Sequence, residues 1–364
     1  MYQRFDMSKI KYFLIFTGPL VGVFSLLGTG FWPWALPFYA YFIIPILEFV
    51  IPKDEVNFNE EQEESAKKDK FYDLILYSLP FVQYSLLGIF LFGLSTQQLA
   101  WHDVAGRIIS FGIACVSLGI NVGHELGHRK KPLERIFAKS LLLSSQYMHF
   151  IIEHNRGHHK NVATPADPAS ARKGEALYMF WYRSITKSYL SAWNLEITRL
   201  EARDTPFWSY QNEMLQFVAL QLALLSTVFA LFSWQITLYY LISAFLGILF
   251  FETVNYLEHY GLRRSKTDSG NYERVLPIHS WNSNHVLGRA ILFEVTRHSD
   301  HHFLASRKYQ ILRNFEEAPQ LPAGYPVMIL CALVPPLWFS IMHKHMAKIK
   351  DERIQLGKPI TSIP

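Results

Sequence analysis

The chain has 364 residues and a net charge of +5, and 50% of its residues are hydrophobic whereas 18% are charged. Such apolar content excludes a disordered chain. Fifteen histidines stand against two cysteines, Cys115 and Cys331, which lie far apart in apolar segments. This excludes a disulfide framework and a cysteine-based zinc site. The weak positive charge, without a basic patch, argues against nucleic-acid binding.

Six apolar segments are long enough to cross a bilayer, which takes about 20 residues per helix. Short turns without lysine or arginine, at residues 28–33, 95–103 and 233–235, join them in three pairs. The sequence therefore predicts an all-α, polytopic membrane protein that forms a single domain over residues 1–364. The predicted spans lie near residues 12–27, 34–51, 74–94, 104–122, 215–232 and 236–251.

Lysine and arginine collect on the side opposite the three turns, and such residues favour the cytoplasmic side. We therefore expect both termini to be cytoplasmic, with residues 123–214 and 257–364 forming a cytoplasmic cap. Arg107, near the outer end of the fourth span, is expected to snorkel to the interface. The charged run 54–70 is expected to be a solvated loop. The stretch 325–342 contains three prolines, which disfavour a straight span.

Nine of the histidines fall in four groups just beyond the predicted spans or on the loops between them. Residues i and i+4 share one face of a helix. His124 and His128 are therefore expected to bind one ion. The same spacing relates His154 to His158, which are expected to bind one ion together.

The last histidine group, 298–302, predicts a shared face for His298 and His301 through the i, i+3 relation. Neutral imidazole suits iron, copper, nickel or zinc. Nine ligands exceed the four that a tetrahedral zinc takes, so the count predicts two metal ions with four or five ligands each. The candidate ligands are His124, His128, His154, His158, His159, His259, His298, His301 and His302.

Acidic and polar side chains lie beside these histidines in the sequence. A metal-bound histidine usually donates its other ring nitrogen to a carboxylate or a carbonyl group. We interpret the remaining histidines as structural, except for two that flank the segment 281–284. The candidates for orienting the ligands are Glu125, Glu153, Asp167, Glu258, His279, Asn282, Asn284, His285 and Asp300.

Two other functions are compatible with parts of this pattern. Residues 124–128 read HELGH, which matches the HExxH motif of zinc metalloproteases with Glu125 as the general base. That mechanism does not need the other three histidine groups, so we disfavour it. A metal carrier would need histidines or carboxylates within the spans. The histidines instead collect at one rim of the membrane, which disfavours a transport pathway.

Longer motifs give a specific resemblance. The segments HELGH, EHNRGHHKNVATPADPA, NYLEHYGL, HSWNSNH and RHSDHH resemble the histidine boxes of the alkane 1-monooxygenases, membrane non-haem diiron enzymes related to the fatty-acid desaturases. The resemblance covers nearly the whole chain. Desaturases typically have HxxHH in both later boxes, whereas three residues separate His154 from His158 here. Xylene-type monooxygenases share these boxes and remain an alternative, as does a fatty-acyl desaturase.

The resemblance implies that the nine histidines bind two iron ions in the cytoplasmic (inner) membrane of a bacterium. The implied reaction is the O2-dependent hydroxylation of medium- to long-chain n-alkanes to primary alcohols. Two isolated cysteines provide no paired CxxC motif, so the implied electron donor is a separate rubredoxin with its NADH-dependent reductase. Basic residues near the histidines would suit an acidic partner: Arg129, Lys130, Lys131, Arg156 and Lys160.

An alkane has no polar group and therefore partitions into membrane lipid. A pocket between the spans could take it up laterally and lead its methyl end to the metal ions. A narrow pocket would enforce terminal attack by positioning and would exclude water from the oxidant. The aromatic candidates for lining this channel are Trp32, Trp34, Phe38 and Tyr41.

Overall fold

The fold was analysed in a computed structural model, which describes residues 7–355. These residues form helices and connecting loops, and no β-strand occurs among them beyond two isolated bridges. The predicted all-α class is confirmed. In chain order the main helices are α1 (Lys11–Leu27), α2 (Trp32–Val50), α3 (Glu60–Lys68), α4 (Lys70–Thr96), α5 (Trp101–Gly127), α6 (Pro132–Ser144), α7 (150–161), α8 (Leu177–Glu201), α9 (Glu213–Leu231), α10 (Trp234–His259), α11 (Val286–Ile291), α12 (His298–Phe303), α13 (Tyr325–Ala332) and α14 (Pro335–Gln355).

Five helices, α2, α4, α5, α9 and α10, are long and apolar enough to cross a membrane, with mean hydropathies from 1.4 to 2.0. The apolar helix α1 is shorter, so the number of six spans stays a prediction. Helices α5 and α10 extend past the predicted span ends at residues 122 and 251 and include His124 and His259. These histidines therefore lie on the membrane helices themselves.

Helices α5 and α10 cross where both carry a glycine. A Cβ atom at Gly247 would lie 2.6 Å from the Cβ atom of Cys115 and 3.1 Å from the carbonyl oxygen of Gly112. Small residues allow membrane helices to approach closely. The crossing therefore fixes the two histidine-bearing helix ends relative to each other.

The expectation that Arg107 snorkels to the interface is wrong. Its side chain is fully buried and donates hydrogen bonds to the carbonyl oxygens of Leu27 and Gly28, at 3.2 and 2.8 Å, and to Gln97. The last carbonyl groups of a helix lack partners within that helix. Arg107 thus supplies hydrogen-bond donors to the free carbonyl groups at the end of α1.

The charged run 54–70 is not simply a solvated loop, because residues 60–68 form α3. Asn59 and Gln62 form a capping box at its start, and such a box satisfies free N–H groups of the first turn. Glu63 is buried and pairs with Arg313, which fastens α3 to the segment after α12.

The proline-rich stretch 325–342 breaks into two helices, as expected. Helix α13 ends at Ala332 and α14 begins at Pro335. Tyr325 and Trp338 are buried against the histidine-bearing end of α10, where they share a core cluster with Tyr256. This packing places Tyr325 near the histidine-bearing end of α10.

Candidate metal centre

The nine candidate histidines converge beside the ends of α5 and α10. They form two groups, and within each group the ligand nitrogens lie within 4.8 Å of one another. Two ligands on opposite sides of one ion, each bonded at about 2.1 Å, lie about 4.2 Å apart. Each group therefore has the dimensions of a metal site. The five-histidine group contains His124, His128, His154, His159 and His301, and the four-histidine group contains His158, His259, His298 and His302.

Ring nitrogens face one another in the five-histidine group. The Nε2 atom of His124 lies 2.9 Å from that of His301. The Nε2 atom of His154 lies 3.1 Å from that of His128 and 3.0 Å from that of His159. A ring nitrogen carries either one proton or one lone pair, which forms a good hydrogen bond with only one of two neighbours. A cation at the common point satisfies all of them, so this group fits a metal ion.

The four-histidine group has the same character. The Nε2 atom of His298 lies 3.1 Å from that of His259 and 2.9 Å from that of His302. The Nε2 atom of His158 lies 3.2 Å from that of His302. An all-imidazole donor set of this kind suits iron, copper or zinc. Both groups therefore fit a metal ion by geometry and by donor chemistry.

A turn of π-helix corrects one predicted pairing. Residues 154–158 form this turn within α7, and π turns occur often at functional sites. The wider turn places His154 with His159 in the five-histidine group and His158 in the four-histidine group. His154 and His158 therefore do not share one ion as their spacing predicts, because that prediction assumes regular α-helix.

Helix α12 corrects the second pairing. His298 and His302, at i and i+4, belong to the four-histidine group, whereas His301 faces the five-histidine group. The expected pair of His298 and His301 is therefore divided between the two groups. The pairing of His124 with His128 follows the prediction, since both belong to the five-histidine group.

Burial keeps most of these rings neutral. Burial, together with neighbouring histidines, lowers the pKa of His154, His301 and His302 well below the ordinary value. A neutral imidazole has a lone pair that can bind a metal ion. His158 differs: burial alone would lower its pKa, but the Asp167 carboxylate outweighs this effect and raises it.

Asp167 is the predicted carboxylate with the clearest orienting contact. Its Oδ2 atom lies 2.9 Å from Nδ1 of His158, and it accepts a hydrogen bond of 2.6 Å from Ser170. The backbone N–H of Ala169 donates to its Oδ1 atom. With Nδ1 held by a carboxylate, Nε2 of His158 is left free to face the four-histidine group.

Glu258 approaches the ligands from another direction. Its Oε2 atom lies 3.2 Å from Nε2 of His298, and its Oε1 atom accepts a hydrogen bond of 2.8 Å from the hydroxyl of Tyr325. The carboxylate therefore lies on the side of His298 that faces the other histidines.

The other three predicted carboxylates contact different partners. Glu125 pairs with Arg129 at 2.6 Å, and Asp300 accepts a hydrogen bond of 2.7 Å from the backbone N–H of Arg313. Glu153 lines a small cavity with His154, and its burial raises its pKa to about 8. These contacts position the segments that carry the histidines.

Of the two predicted asparagines, Asn282 has the more direct role. It exchanges two hydrogen bonds of 2.8 Å with Ser299, one of them from the backbone N–H at the start of α12. Asn284 contacts Asn314 and Gln320 instead. Asn282 therefore fixes the start of the helix that carries three ligands.

The two flanking histidines have partners of their own. The Nδ1 atom of His279 accepts a hydrogen bond of 2.9 Å from the backbone N–H of Leu276, and its Nε2 atom lies 3.2 Å from Glu273. The Nδ1 atom of His285 lies 2.8 Å from the hydroxyl of Ser283. These side-chain contacts indicate a structural role for both histidines.

Glu252, a buried carboxylate close to the site, is not predicted by the histidine motifs. It accepts hydrogen bonds from the hydroxyl groups of Tyr147 and Ser184, at 2.7 and 2.5 Å, and shares a small cavity with His158. Glu252 precedes His259 by seven residues, which is two helical turns. This spacing is the feature of the sequence that indicates a place for Glu252 on the same face of the helix as His259.

An apolar cavity of about 150 Å³ runs between the membrane helices to the histidines. Its lining extends from Pro19 in α1 to His124, His154 and His298. At the histidine end the polar lining residues include Asn121, Asn255, Glu258 and Tyr325.

The predicted channel aromatics divide into two sets. Tyr41 lines this cavity, whereas Trp32, Trp34 and Phe38 are not among its lining residues. Trp32 and Phe38 point outward, with 55% and 41% of their surfaces exposed. These exposed rings lie on α2, where they are available to contact lipid.

Comparison with known proteins identifies the family of this chain. The family model for fatty acid desaturases matches residues 99–332. An alkane 1-monooxygenase from Acinetobacter baylyi is 39% identical and covers 90% of this chain and 82% of its own length. Another from Pseudomonas putida is 38% identical over 92% and 85%. The hydroxylase component of a xylene/toluene monooxygenase from Pseudomonas putida is 30% identical over 95% and 91%. The chain therefore belongs to the fatty acid desaturase family and, within it, to the alkane 1-monooxygenases.

Proposed function

We propose that this enzyme hydroxylates the terminal methyl group of medium- to long-chain n-alkanes. The observation that carries the proposal is the apolar cavity that ends at the nine converging histidines. The five-histidine group would hold one iron ion and the four-histidine group a second. Iron bound there would supply the activation of O2 for insertion of one oxygen atom into a C–H bond.

The overall reaction balances with one external pair of electrons. The alkane, O2, two electrons and two protons give the primary alcohol and water. A primary C–H bond is the strongest in the chain, so terminal attack has to come from positioning. The apolar lining binds the alkane along its length and brings the methyl end to the histidines.

Polar side chains at the histidine end of the cavity have separate tasks. Asn121 and Asn255 are the polar contacts available to the incoming oxygen and the product hydroxyl. Tyr325 donates a hydrogen bond to Oε1 of Glu258, so this pair can hold a proton beside His298. The apolar remainder of the cavity excludes water, which limits side reactions.

Electrons would come from a separate rubredoxin, itself reduced by an NADH-dependent reductase. Two ligands, His128 and His159, are partly exposed, whereas the other seven are buried. Electrons that enter at these two partly exposed histidines would pass directly from the protein surface to a metal ligand. Exposed Lys130 and Lys160 lie two residues and one residue after these histidines in the chain, and their charge suits an acidic donor.

The two arginines among the five predicted basic residues already form ion pairs with glutamates of the same chain. Arg129 is buried and pairs with Glu125. Arg156 pairs with Glu196 and Glu213, at 3.2 and 3.0 Å. We therefore assign partner recognition to the exposed lysines rather than to these arginines.

The proposed location is the bacterial cytoplasmic membrane, with both termini and the histidines on the cytoplasmic side. The whole chain would act as one domain, in which residues 123–214 and 257–364 cap the spans. Labelling of an engineered cysteine in either terminus of intact cells tests this orientation. Reaction with a membrane-impermeant reagent before lysis contradicts it.

The test of function uses the purified full chain loaded with iron. With dodecane, O2, rubredoxin, its reductase and NADH, we expect 1-dodecanol and about two iron ions per chain. The variant His154→Ala should lose the product. Zinc alone, or a loaded diiron protein that makes no 1-dodecanol, contradicts the proposal.

A second candidate is the hydroxylation of an alkylbenzene methyl group. The identity of 30% over most of the chain to the xylene/toluene enzyme favours it, although the alkane relatives are closer at 37% to 39%. Equal amounts of dodecane and xylene in one reaction distinguish the two. We expect 1-dodecanol to be the main product, and a dominant benzylic alcohol would favour the second candidate. A fatty-acyl desaturase would instead form a double bond in an added acyl substrate.

A further inference from the structure

A polar cavity of about 240 Å³, with no histidine in its lining, lies between α1, the loop 54–58 and the segments that flank α12. Four cationic side chains line it: Lys11, Arg289, Arg297 and Arg313. The alkane cavity has a separate lining that includes none of them. The composition of this second cavity therefore indicates a different ligand.

Three of the cations have carboxylate partners. Lys11 and Arg289 both pair with Glu294, at 2.8 and 2.5 Å, and Arg289 also pairs with Asp54. Arg313 pairs with Glu63 at 2.5 Å. Three carboxylates therefore face four cations, which leaves a net positive charge around the cavity.

Arg297 is the fourth cation, and its partners are neutral. Its guanidinium donates to the carbonyl oxygens of Leu312, Asp54 and Val56 and to the side chain of Asn57. The side chain is 3% exposed, its Nε atom has no hydrogen-bond partner, and no ion pair joins it to another described residue. The carboxylates of Glu294 and Asp54 act on it without forming an ion pair, and both already pair with Lys11 or Arg289.

A second lining residue also has a buried polar atom without a partner. Gln310 donates a hydrogen bond to the carbonyl oxygen of Ala66, but its buried Oε1 atom accepts none. A ligand that carries a negative charge would balance the excess of cations around the cavity.

We propose that this cavity binds a phosphate group, either the head group of an acidic phospholipid or free phosphate. Lys11 begins the apolar helix α1, which places the cavity at the level of the membrane surface. Val56 is 76% exposed and Gln62 is also exposed at its lining, so the cavity is accessible from outside. The bound phosphate would join α1 and the loop 54–58 to Arg297, which directly precedes His298.

The test compares two probes on the full chain in detergent. Dihexanoyl phosphatidylglycerol and inorganic phosphate are titrated separately, with dihexanoyl phosphatidylcholine and chloride as their neutral-lipid and simple-anion controls. Thermal unfolding follows binding, and native mass spectrometry counts the retained lipid. We expect phosphatidylglycerol or phosphate, or both, to raise the unfolding temperature. Stabilisation by the lipid alone identifies a head group as the source, and stabilisation by phosphate identifies the free anion.

The matched variants are Lys11→Met and Lys9→Met. Lys9 lies two residues before Lys11 in the chain, but it pairs with Asp69 and does not line the cavity. Loss of one charged hydrogen bond should weaken binding about ten-fold or more in Lys11→Met and leave binding unchanged in Lys9→Met. If Lys11→Met does not fold, Arg313→Gln replaces it, because that side chain is 41% exposed. The proposal is overturned if neither probe stabilises the protein, or if the cavity variant and Lys9→Met weaken binding equally.

Discussion

Replacing Asp167 by asparagine separates the two metal sites. The substitution keeps the size of the side chain but removes the charge that faces Nδ1 of His158 at 2.9 Å. It also presents an amide to the hydroxyl of Ser170 and to the N–H of Ala169, which now donate to the carboxylate. An asparagine has one oxygen for these three contacts, so at least one of them is lost.

The expected cost falls on one group only. Loss of a side chain that orients a metal-bound histidine typically lowers metal affinity by about 10- to 100-fold, which corresponds to roughly 1.4–2.8 kcal/mol. His158 belongs to the four-histidine group. Iron bound by that group should be held more weakly, whereas iron bound by the five-histidine group should keep all of its ligands and its affinity.

The assay measures iron release into a chelator, together with the iron content per chain after dialysis. Wild type should keep about two iron ions, and Asp167→Asn should approach one, with a fast and a slow phase of release. Ser170→Ala is the matched control, because it removes one hydrogen bond to Asp167 and should cost only about 0.5–1.5 kcal/mol. Retention of both ions at the wild-type rate, or equal loss of both, would refute the reasoning.

Three further substitutions test packing and the cavity. Gly247→Val should reduce the free energy of unfolding by about 1–3 kcal/mol and therefore lower the unfolding temperature. Gly88→Val should leave that temperature unchanged, because no atom lies within 4 Å of a Cβ atom built at Gly88. Gly157→Ala should lower the iron content, because its Cβ would lie 2.5 Å from the carboxylate one turn earlier; an unchanged metal analysis would contradict this. Tyr41→Ala should shift the alcohol products toward longer alkanes, and Phe38→Ala, outside the cavity lining, should leave the profile unchanged.

Apolar segment length predicts most of the membrane architecture, because spanning a bilayer imposes one requirement on every helix. The same reasoning misplaces the helix ends. The count of apolar residues stops at 122 and 251, but α5 and α10 continue to Gly127 and His259. Their polar ends are buried within the protein, so hydrophobicity no longer marks where each helix ends.

Arg107 shows a second limit of sequence reasoning. Its position near a span end predicts contact with the interface, but its partners are the last carbonyl groups of α1, about 80 residues earlier in the chain. Nothing local in the sequence identifies such a partner. Glu48 of α2 is similar, since its carboxylate accepts a hydrogen bond from the backbone N–H of Gly288.

Which histidines form the site is easier to predict than which of the two groups each histidine joins. All nine histidines converge, which their four motifs predict, but spacing misassigns the pairs in α7 and α12. In α7 the reason is the π turn at 154–158, which spacing rules for α-helix do not anticipate. In α12 two spacings were available, and the observed pair of His298 and His302 uses i, i+4 rather than i, i+3.

The division of ligands among the helices bears on how the two sites are held. Helix α5 supplies ligands only to the five-histidine group and α10 only to the four-histidine group, whereas α7 and α12 supply both. The glycine crossing of α5 and α10 therefore sets the separation of the two groups, and α7 and α12 link them. A change at the crossing should disturb both metal sites together, while a change at an orienting residue such as Asp167 should disturb one. The contrast between Gly247→Val and Asp167→Asn thus separates the architecture of the centre from the tuning of a single ligand.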